Sequence, residues 1–148
     1  MKNDSFVAET TYQNILACMS EAMIFADLEG IIQIWNPGAE FIFGHTSIEA
    51  VGESLNLIIP EHLRKAHWDG FHQAVGRGST THGRRSIITR SLHKSGEQLY
   101  VDMSFAIVKN QAGETIGSTA VARNATARHL EDKSLRRQLA ELTVKSPK

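Results

Sequence analysis

The chain has 148 residues, 41% of them hydrophobic, and its 16 basic residues balance 16 acidic ones. This size and composition predict one domain with a core of its own, and the absence of a basic block argues against nucleic acid as a direct partner. The apolar runs are too short to span a membrane and the N-terminus lacks a signal-peptide pattern, so we expect a cytoplasmic protein with no membrane partner. The single cysteine, Cys18, has no second thiol for a disulfide or zinc motif and is interpreted as a small core residue.

The first elements are predicted to be a helix and a pair of strands. Apolar residues recur at helical spacing between Glu9 and Ser20, and we assign residues 1–20 to an N-terminal flanking helix. The segments MIFADL and IIQIWN are rich in β-branched and aromatic residues, which is typical of strands. Residues Asp27 to Gly30 lie between them and have the composition of a hairpin turn.

Short helices are predicted to follow this pair of strands. Asn36 precedes Pro37, and these are the residues preferred at the cap and at the first position of a helix that Gly44 would end. The run from Thr46 to Glu49 is a capping box for another short helix, which Gly52 would end.

One longer helix and three strands are predicted in the second half. Pro60 opens a helix expected from Glu61 to about Val75. The strand candidates share β-branched residues and flanking turn residues, and they are 85–93, 97–108 and 115–123. Strands separated by a helical block predict an α+β domain with one antiparallel sheet, assigned to residues 21–124.

Residues 125–148 are predicted to form a C-terminal amphipathic helix and tail. Leu135, Leu139 and Leu142 have the spacing of a coiled-coil seam, and Leu130 comes just before them. Such a short seam does not establish a coiled coil. A helix that docks on its own domain and a helix that pairs with a second copy both remain open.

The chain resembles the PAS family of sensory domains over nearly its whole length. The resemblance rests on the order of elements and on three segments, DLEGIIQIWNPGAEFIFG, SIEAVGESLNLIIP and HKSGEQLYVDMSFAIVKNQAGETIGSTAVARNATAR. It implies the PAS fold, in which helices pack on one face of a five-stranded antiparallel sheet, here with flanking N- and C-terminal helices. PAS domains bind heme, flavins, small acids or nothing, so the fold alone does not give the function.

The segment PEHLRKAHWDGF is similar to the ligand helix of heme-binding PAS sensors of the FixL and DosP type. Those domains carry a proline, an arginine and then the iron-binding histidine, and Pro60, Arg64 and His67 match this pattern. On a helix His67 shares a face with Gly70 and Phe71, and heme iron is one partner for an imidazole on such an apolar face. The resemblance therefore implies heme b, with His67 as the proximal iron ligand. The alternative is an ordinary core histidine that hydrogen-bonds a backbone carbonyl.

Further heme-contacting residues are expected on the same helix and the later strands. Arg64, His82 and Arg85 are candidates for binding the anionic propionates. The resemblance also implies that Arg85 hydrogen-bonds bound oxygen, although Arg85 lies two residues from the expected position. Met103 is interpreted as a core residue, and a role as the sixth iron ligand is the less favoured alternative. The apolar positions expected against the porphyrin are Ile58, Gly70, Phe71, Val101, Met103, Ala120 and Ala122.

These residues predict a sensor of a diatomic gas (oxygen, carbon monoxide or nitric oxide) or of redox state. The alternatives are a redox sensor that stacks flavin adenine dinucleotide (FAD) on Trp35 and Trp68, and a cofactor-free dimerisation module. A heme-degrading enzyme is the most distant alternative, and no residue argues for it. We expect a homodimer built on the C-terminal leucines with help from Ile15 and Leu16, and an output partner that is fused or separate.

Overall fold

A five-stranded antiparallel sheet with the order β2-β1-β5-β4-β3 forms the centre of the computed structural model, which describes residues 2–145. The strands are β1 (Ala22–Asp27), β2 (Ile32–Trp35), β3 (Ile87–Leu92), β4 (Gln98–Lys109) and β5 (Thr115–Asn124). The helices are α1 (Lys2–Cys18), α2 (Pro37–Phe43), α3 (Ser47–Ala50), α4 (Arg64–Arg77) and α5 (Thr126–Val144), with short 3-10 turns at Leu55–Ile58 and Glu61–Leu63. The predicted α+β fold and its strands are confirmed.

Helix α1 lies within the residues 1–20 assigned to the N-terminal helix, and it extends before the periodic segment that starts at Glu9, because its first residues include too few apolar ones to give a periodic signal. The later long helix differs from its predicted start. The helix predicted from Glu61 begins as a 3-10 turn, closed by a bond from Leu63 N–H to the Pro60 carbonyl, and becomes α-helical at Arg64. Residue 1 of the predicted N-terminal helix and residues 146–148 of the predicted C-terminal tail lie outside the described residues.

The first and last strands are neighbours at the centre of the sheet. Strand β1 pairs antiparallel with β5 in a register that sets Ala22 opposite Ala122 and Asp27 opposite Gly117. A Cβ added at Gly117 would lie only 2.1 Å from the carbonyl oxygen of Ala26, so only glycine allows the two backbones to approach this closely.

The core lies between one face of the sheet and the helices that follow β2. In β4 the residues Leu99, Val101 and Met103 are buried and Phe105 is partly buried, which confirms the predicted alternation. The largest fully buried side chains are Phe43, Ile24, Ile32 and Val101.

Asn36 is a buried polar residue that joins three elements. Its Oδ1 accepts hydrogen bonds from the backbone N–H of Ala39 at 3.0 Å and of Met23 at 2.8 Å, so it caps α2 as predicted and also holds the start of β1. Its Nδ2 donates to the carbonyls of Leu16 and Glu21, both at 3.0 Å. One amide therefore fastens the end of α1, the first strand and the second helix together.

The terminal helices lie largely outside the core. Helix α5 has no buried residue among those described, and Leu135 and Leu139 are 51% and 64% exposed. On α1, Tyr12 is 68% exposed. The expectation that Cys18 is a core residue is wrong, because α1 lies at the surface and leaves Cys18 exposed. Within residues 2–145, no helix combines the length and apolar character that crossing a membrane requires.

Replacing Asn36 tests how much this amide stabilises the fold. Asn36→Ala removes the cap and leaves two partly buried carbonyls and two N–H groups without their partner, so we expect the free energy of unfolding to fall by about 2–4 kcal/mol. Thr46→Ala, which removes the exposed cap of α3, is the matched control and should cost about 1 kcal/mol. Urea unfolding of both variants measures the difference. Equal losses would mean that Asn36 acts only as a helix cap.

Candidate functional site

A cavity of about 370 Å³ lies between helix α4 and the inner face of the sheet. Strands β1, β3, β4 and β5, the 3-10 turn Leu55–Ile58 and the segment after α4 all contribute to its wall. Most of the lining is apolar, and it includes Ile24, Ile58, Phe71, Met103, Phe105 and Ala120. A concave apolar site with a few polar groups is the usual form of a small-molecule site in a protein.

The cavity exists because both of its walls carry small side chains. On the sheet, Ala26 pairs with Ser118, and Ala120 lies on the same face of β5. On α4 the facing positions include Gly70, where an added Cβ would meet no atom within 4 Å, and Ala74. The helix and the sheet therefore do not fill the space between them.

His67 lies in the helical wall of this cavity and is partly buried. Its Nδ1 is buried and has no hydrogen-bond partner within the described part of the chain. Burial, with a smaller contribution from nearby His72, lowers the pKa of His67 to about 4. The ring is therefore neutral at neutral pH and keeps a lone pair on one nitrogen. The expected alternative, a bond from this histidine to a backbone carbonyl, does not form at Nδ1.

Aromatic side chains fix the orientation of the His67 ring. Trp68 meets it edge to face, with ring centroids 4.8 Å apart and an interplanar angle of 83°. Phe71 stacks on it at a centroid distance of 6.1 Å and an angle of 27°. The Trp68 Nε1–H in turn donates to Asn56 Oδ1 at 2.8 Å. The ring is thus held by its neighbours on α4.

One end of the cavity is polar. Thr80, Thr81 and His82, from the segment between α4 and β3, line it there. Ser91 is a separate polar residue of the lining, since it pairs with Leu99 on β4 whereas Thr80 donates to the Phe105 carbonyl further along that strand, and the buried Ser91 hydroxyl donates to the carbonyl of Ile58 at 2.7 Å. The polar end therefore offers hydroxyls and one imidazole to a ligand whose body lies among the apolar residues.

The structure brings together only part of the predicted site. His67, Gly70, Phe71, His82, Met103 and Ala120 line the cavity, as does Ile58. Val101 and Ala122 are buried in the core but do not line it. Arg64 lies outside the lining, because its Nε donates to the Ile59 carbonyl at 3.2 Å and its Nη2 to the Asn56 carbonyl at 3.4 Å.

Arg85 is exposed before the start of β3 and does not line the cavity. Arg90 reaches the edge of the cavity, but it pairs with Tyr100 and alternates with the inward position Ser91, so it belongs to the outer side of the sheet. Ile87, opposite Met103, lies inward instead.

Sequence reasoning missed Ile87, Ser91, Thr80 and Thr81. Strand alternation indicated the first two, since Ile87 and Ser91 share the parity of the buried positions on β4. No periodic signal exists for Thr80 and Thr81, which lie in an irregular segment.

Within the described part of the chain, His67 is not part of a cluster of metal-ligating side chains. Among residues 7–145, whose side chains the structure describes, no group of three or more histidine, cysteine, aspartate or glutamate side chains is placed to hold a metal ion. A bare ion would have too few protein donors here, because zinc sites use three or four protein ligands and calcium takes six to eight oxygen ligands.

Comparison with known proteins agrees with the fold. Residues 10–125 match the family described as the PAS fold. The sensor protein FixL of Bradyrhizobium diazoefficiens is 41% identical over 59 residues, which cover 40% of this chain and 12% of FixL. An uncharacterized protein of Azorhizobium caulinodans is 27% identical over 135 residues, which cover 90% of this chain and 18% of that protein. The chain thus spans less than a fifth of the length of these relatives.

Solved structures show the same architecture at low sequence identity. The PAS domain of a protein from Colwellia psychrerythraea has a TM-score of 0.71 at 20% identity, covering 81% of this chain and 98% of that one. An RNA-binding light-oxygen-voltage receptor also has a TM-score of 0.71, at 18% identity, covering 89% of this chain and 37% of the receptor. The sheet order, the helices on one face and the match over residues 10–125 agree, and the chain belongs to the PAS family of sensor domains.

Proposed function

We propose that this PAS domain binds heme and senses a diatomic gas (oxygen, carbon monoxide or nitric oxide) or redox state, with His67 as the proximal iron ligand. The observation that carries this proposal is the His67 ring, which is neutral, lies in the wall of an apolar cavity and has a buried Nδ1 without a partner. Buried polar groups in proteins are almost always paired, so an unpaired imidazole in a cavity wall points to a ligand.

Heme suits a site whose described residues form no cluster of metal-ligating side chains. The porphyrin brings four nitrogen donors with the iron, so the protein needs to add only one axial ligand. A neutral imidazole can donate its lone pair to the iron without losing a proton. When bound, heme would supply an iron atom at which oxygen, carbon monoxide or nitric oxide binds. The match to FixL over 59 residues supports a sensory role, although it covers only 40% of this chain.

The rest of the cavity suits a flat apolar cofactor with an anionic edge. Phe71, Met103 and Ala120 would contact the porphyrin, and the space beside Gly70 would admit its edge. His82, with Thr80 and Thr81 beside it, would bind the propionates at the polar end. Arg64 and Arg85 have no part in this arrangement, since Arg64 donates to two backbone carbonyls and Arg85 lies outside the cavity.

A flavin is less well supported by the same geometry. Neither tryptophan proposed to stack on FAD lines the cavity. Trp35 is buried and donates its Nε1–H to the His45 carbonyl at 2.9 Å, while Trp68 donates to Asn56. Both rings are therefore engaged elsewhere.

The signal would leave the domain through its terminal helices. Helix α5 follows β5 directly, and β5 contributes Ser118 and Ala120 to the cavity wall. A shift of β5 would change the direction of α5, whose exposed Leu135 and Leu139 would pair with a second copy. We therefore propose a homodimer built on α5 with a contribution from α1, acting on an output domain that is fused or separate.

His67→Ala tests the iron ligand. We expect the Soret band of the heme-loaded protein to be lost, and added imidazole to restore it by filling the space of the missing ring. His72→Ala is the matched control, because His72 is exposed on the same helix and does not line the cavity. An unchanged heme spectrum in the His67→Ala protein would refute the assignment.

Gly70→Leu tests the cavity independently of the ligand. The new side chain would occupy the space beside His67, so we expect heme binding to be lost while the helix gains about 1 kcal/mol of intrinsic propensity. Gly76→Leu is the control, since its added Cβ also meets nothing within 4 Å and Gly76 does not line the cavity. Hemin titration and thermal unfolding of both proteins give the comparison. If both variants bind hemin equally well, heme does not occupy this space.

Removing the chain beyond Ala125 tests the dimer. The shortened protein lacks α5 and should be a monomer that still binds heme, because no described residue of α5 is buried in the core. The full-length Leu135→Glu, Leu139→Glu protein should also be monomeric. Sedimentation velocity measures the mass of each. A shortened protein that remains dimeric would show that α5 does not form the interface.

A further inference from the structure

We propose that Asn56 is a positioning residue that holds Trp68 and, through it, the His67 ring in the cavity. Its functional meaning rests on the heme-binding role proposed above. Asn56 lies in the 3-10 turn Leu55–Ile58, outside the helix that carries His67, and it does not line the cavity. Its effect on the ring must therefore pass through other side chains.

Asn56 makes two connections to α4, on either side of His67. Its side-chain Oδ1 accepts a hydrogen bond from Trp68 Nε1–H at 2.8 Å. Its backbone carbonyl accepts one from Arg64 Nη2 at 3.4 Å, and Arg64 Nε donates to the carbonyl of Ile59, which directly follows the turn, at 3.2 Å. The helix is thus attached to this turn three residues before His67 and one residue after it.

Trp68 has little freedom to move away from this bond. A Cβ added at Gly30 would lie 2.2 Å from Trp68 Cη2, so the six-membered ring of the indole lies directly over the β1–β2 turn. Trp68 also meets the His67 ring edge to face, with ring centroids 4.8 Å apart. A displacement of the indole would therefore move, or release, the imidazole.

The turn that carries Asn56 is itself fixed to the same hairpin. Leu55 N–H donates to the Gly30 carbonyl at 3.0 Å, and Asn56 N–H donates to Ser54 Oγ at 3.2 Å. Gly30 thus contacts Trp68 directly and anchors the turn that holds the indole N–H. This arrangement fixes the indole in both position and rotation.

The arrangement is of the kind that tunes a metal ligand from outside its coordination sphere. Groups that orient a ligating histidine are worth about 10- to 100-fold in metal affinity. In this chain the orienting group is an aromatic neighbour, since Nδ1 of His67 has no hydrogen-bond partner of its own among the described residues. Asn56 would set the orientation of the ring before any cofactor arrives.

The test compares Asn56→Ala with Asn56→Asp. Alanine removes the acceptor and leaves the indole N–H without a partner, whereas aspartate keeps an oxygen at the same place. The first measurement is made on protein without cofactor, by recording the NMR signals of the Trp68 indole N–H and the His67 ring. We expect both signals to shift or broaden in Asn56→Ala and to stay close to wild type in Asn56→Asp.

The second measurement is a hemin titration of the same proteins. We expect the affinity of Asn56→Ala to fall about 10-fold or more and that of Asn56→Asp to remain near wild type. Trp68→Phe, which lacks the N–H, should reproduce the His67 ring shift, and adding Asn56→Ala to it should change little further. This second variant keeps the proposal testable if Asn56→Ala folds poorly.

The outcomes separate this proposal from the proposed function. Unchanged His67 ring signals in both Asn56→Ala and Trp68→Phe would overturn the positioning role, as would an Asn56→Asp protein that behaves like Asn56→Ala. If the ring signals respond as expected but the wild-type protein binds no hemin, the positioning role stands and the heme-binding role falls.

Discussion

The fold depends on one buried amide, that of Asn36. A polar side chain in the core is tolerated only when its hydrogen-bonding groups are satisfied, and here Oδ1 accepts from Met23 and Ala39 while Nδ2 donates to Leu16 and Glu21. These bonds fix where the chain enters the sheet and where it leaves β2 for the helices. The position of the helical wall relative to the sheet follows from that start, and the cavity lies between the two.

Asn36 and His67 differ in how far the protein satisfies their buried polar atoms. Asn36 satisfies each of its polar atoms within the protein, whereas His67 leaves Nδ1 buried without a partner in the described chain. Burial disfavours the charged ring and lowers the pKa of His67, so the ring stays neutral. The hydrogen bond that Nδ1 lacks is not replaced by any other contact of that atom in the described chain. Small residues on both walls, Gly70 and Ala120 among them, keep space beside that ring. The site is therefore less stable than a filled core would be, which is common where a protein binds a ligand.

The fold was predictable because its signals are local and periodic. Alternation in β4, the cap at Asn36 and the turn at Asp27 each indicated an element that the structure contains. Helical spacing also placed His67 and Gly70 on the cavity side of α4. The arginines could not be placed in this way, because long side chains reach several partners from one backbone position. Arg64 donates to backbone carbonyls, and Arg85 lies in a segment without a periodic hydrophobic pattern. The bond between Asn56 and Trp68 joins residues of different elements, and sequence spacing carries no information about it.

The pairing of Ala22 with Ala122 has a consequence for the segments that enter and leave the sheet. Because β1 and β5 run in opposite directions, the beginning of β1 and the end of β5 lie side by side at the same end of the sheet, where Arg123 and Glu21 form an ion pair at 2.7 Å. The entering and leaving segments are therefore close together, as they are in domains that tolerate insertion into another chain. A rotation of the domain about that end of the sheet would move the entering and the leaving segment together.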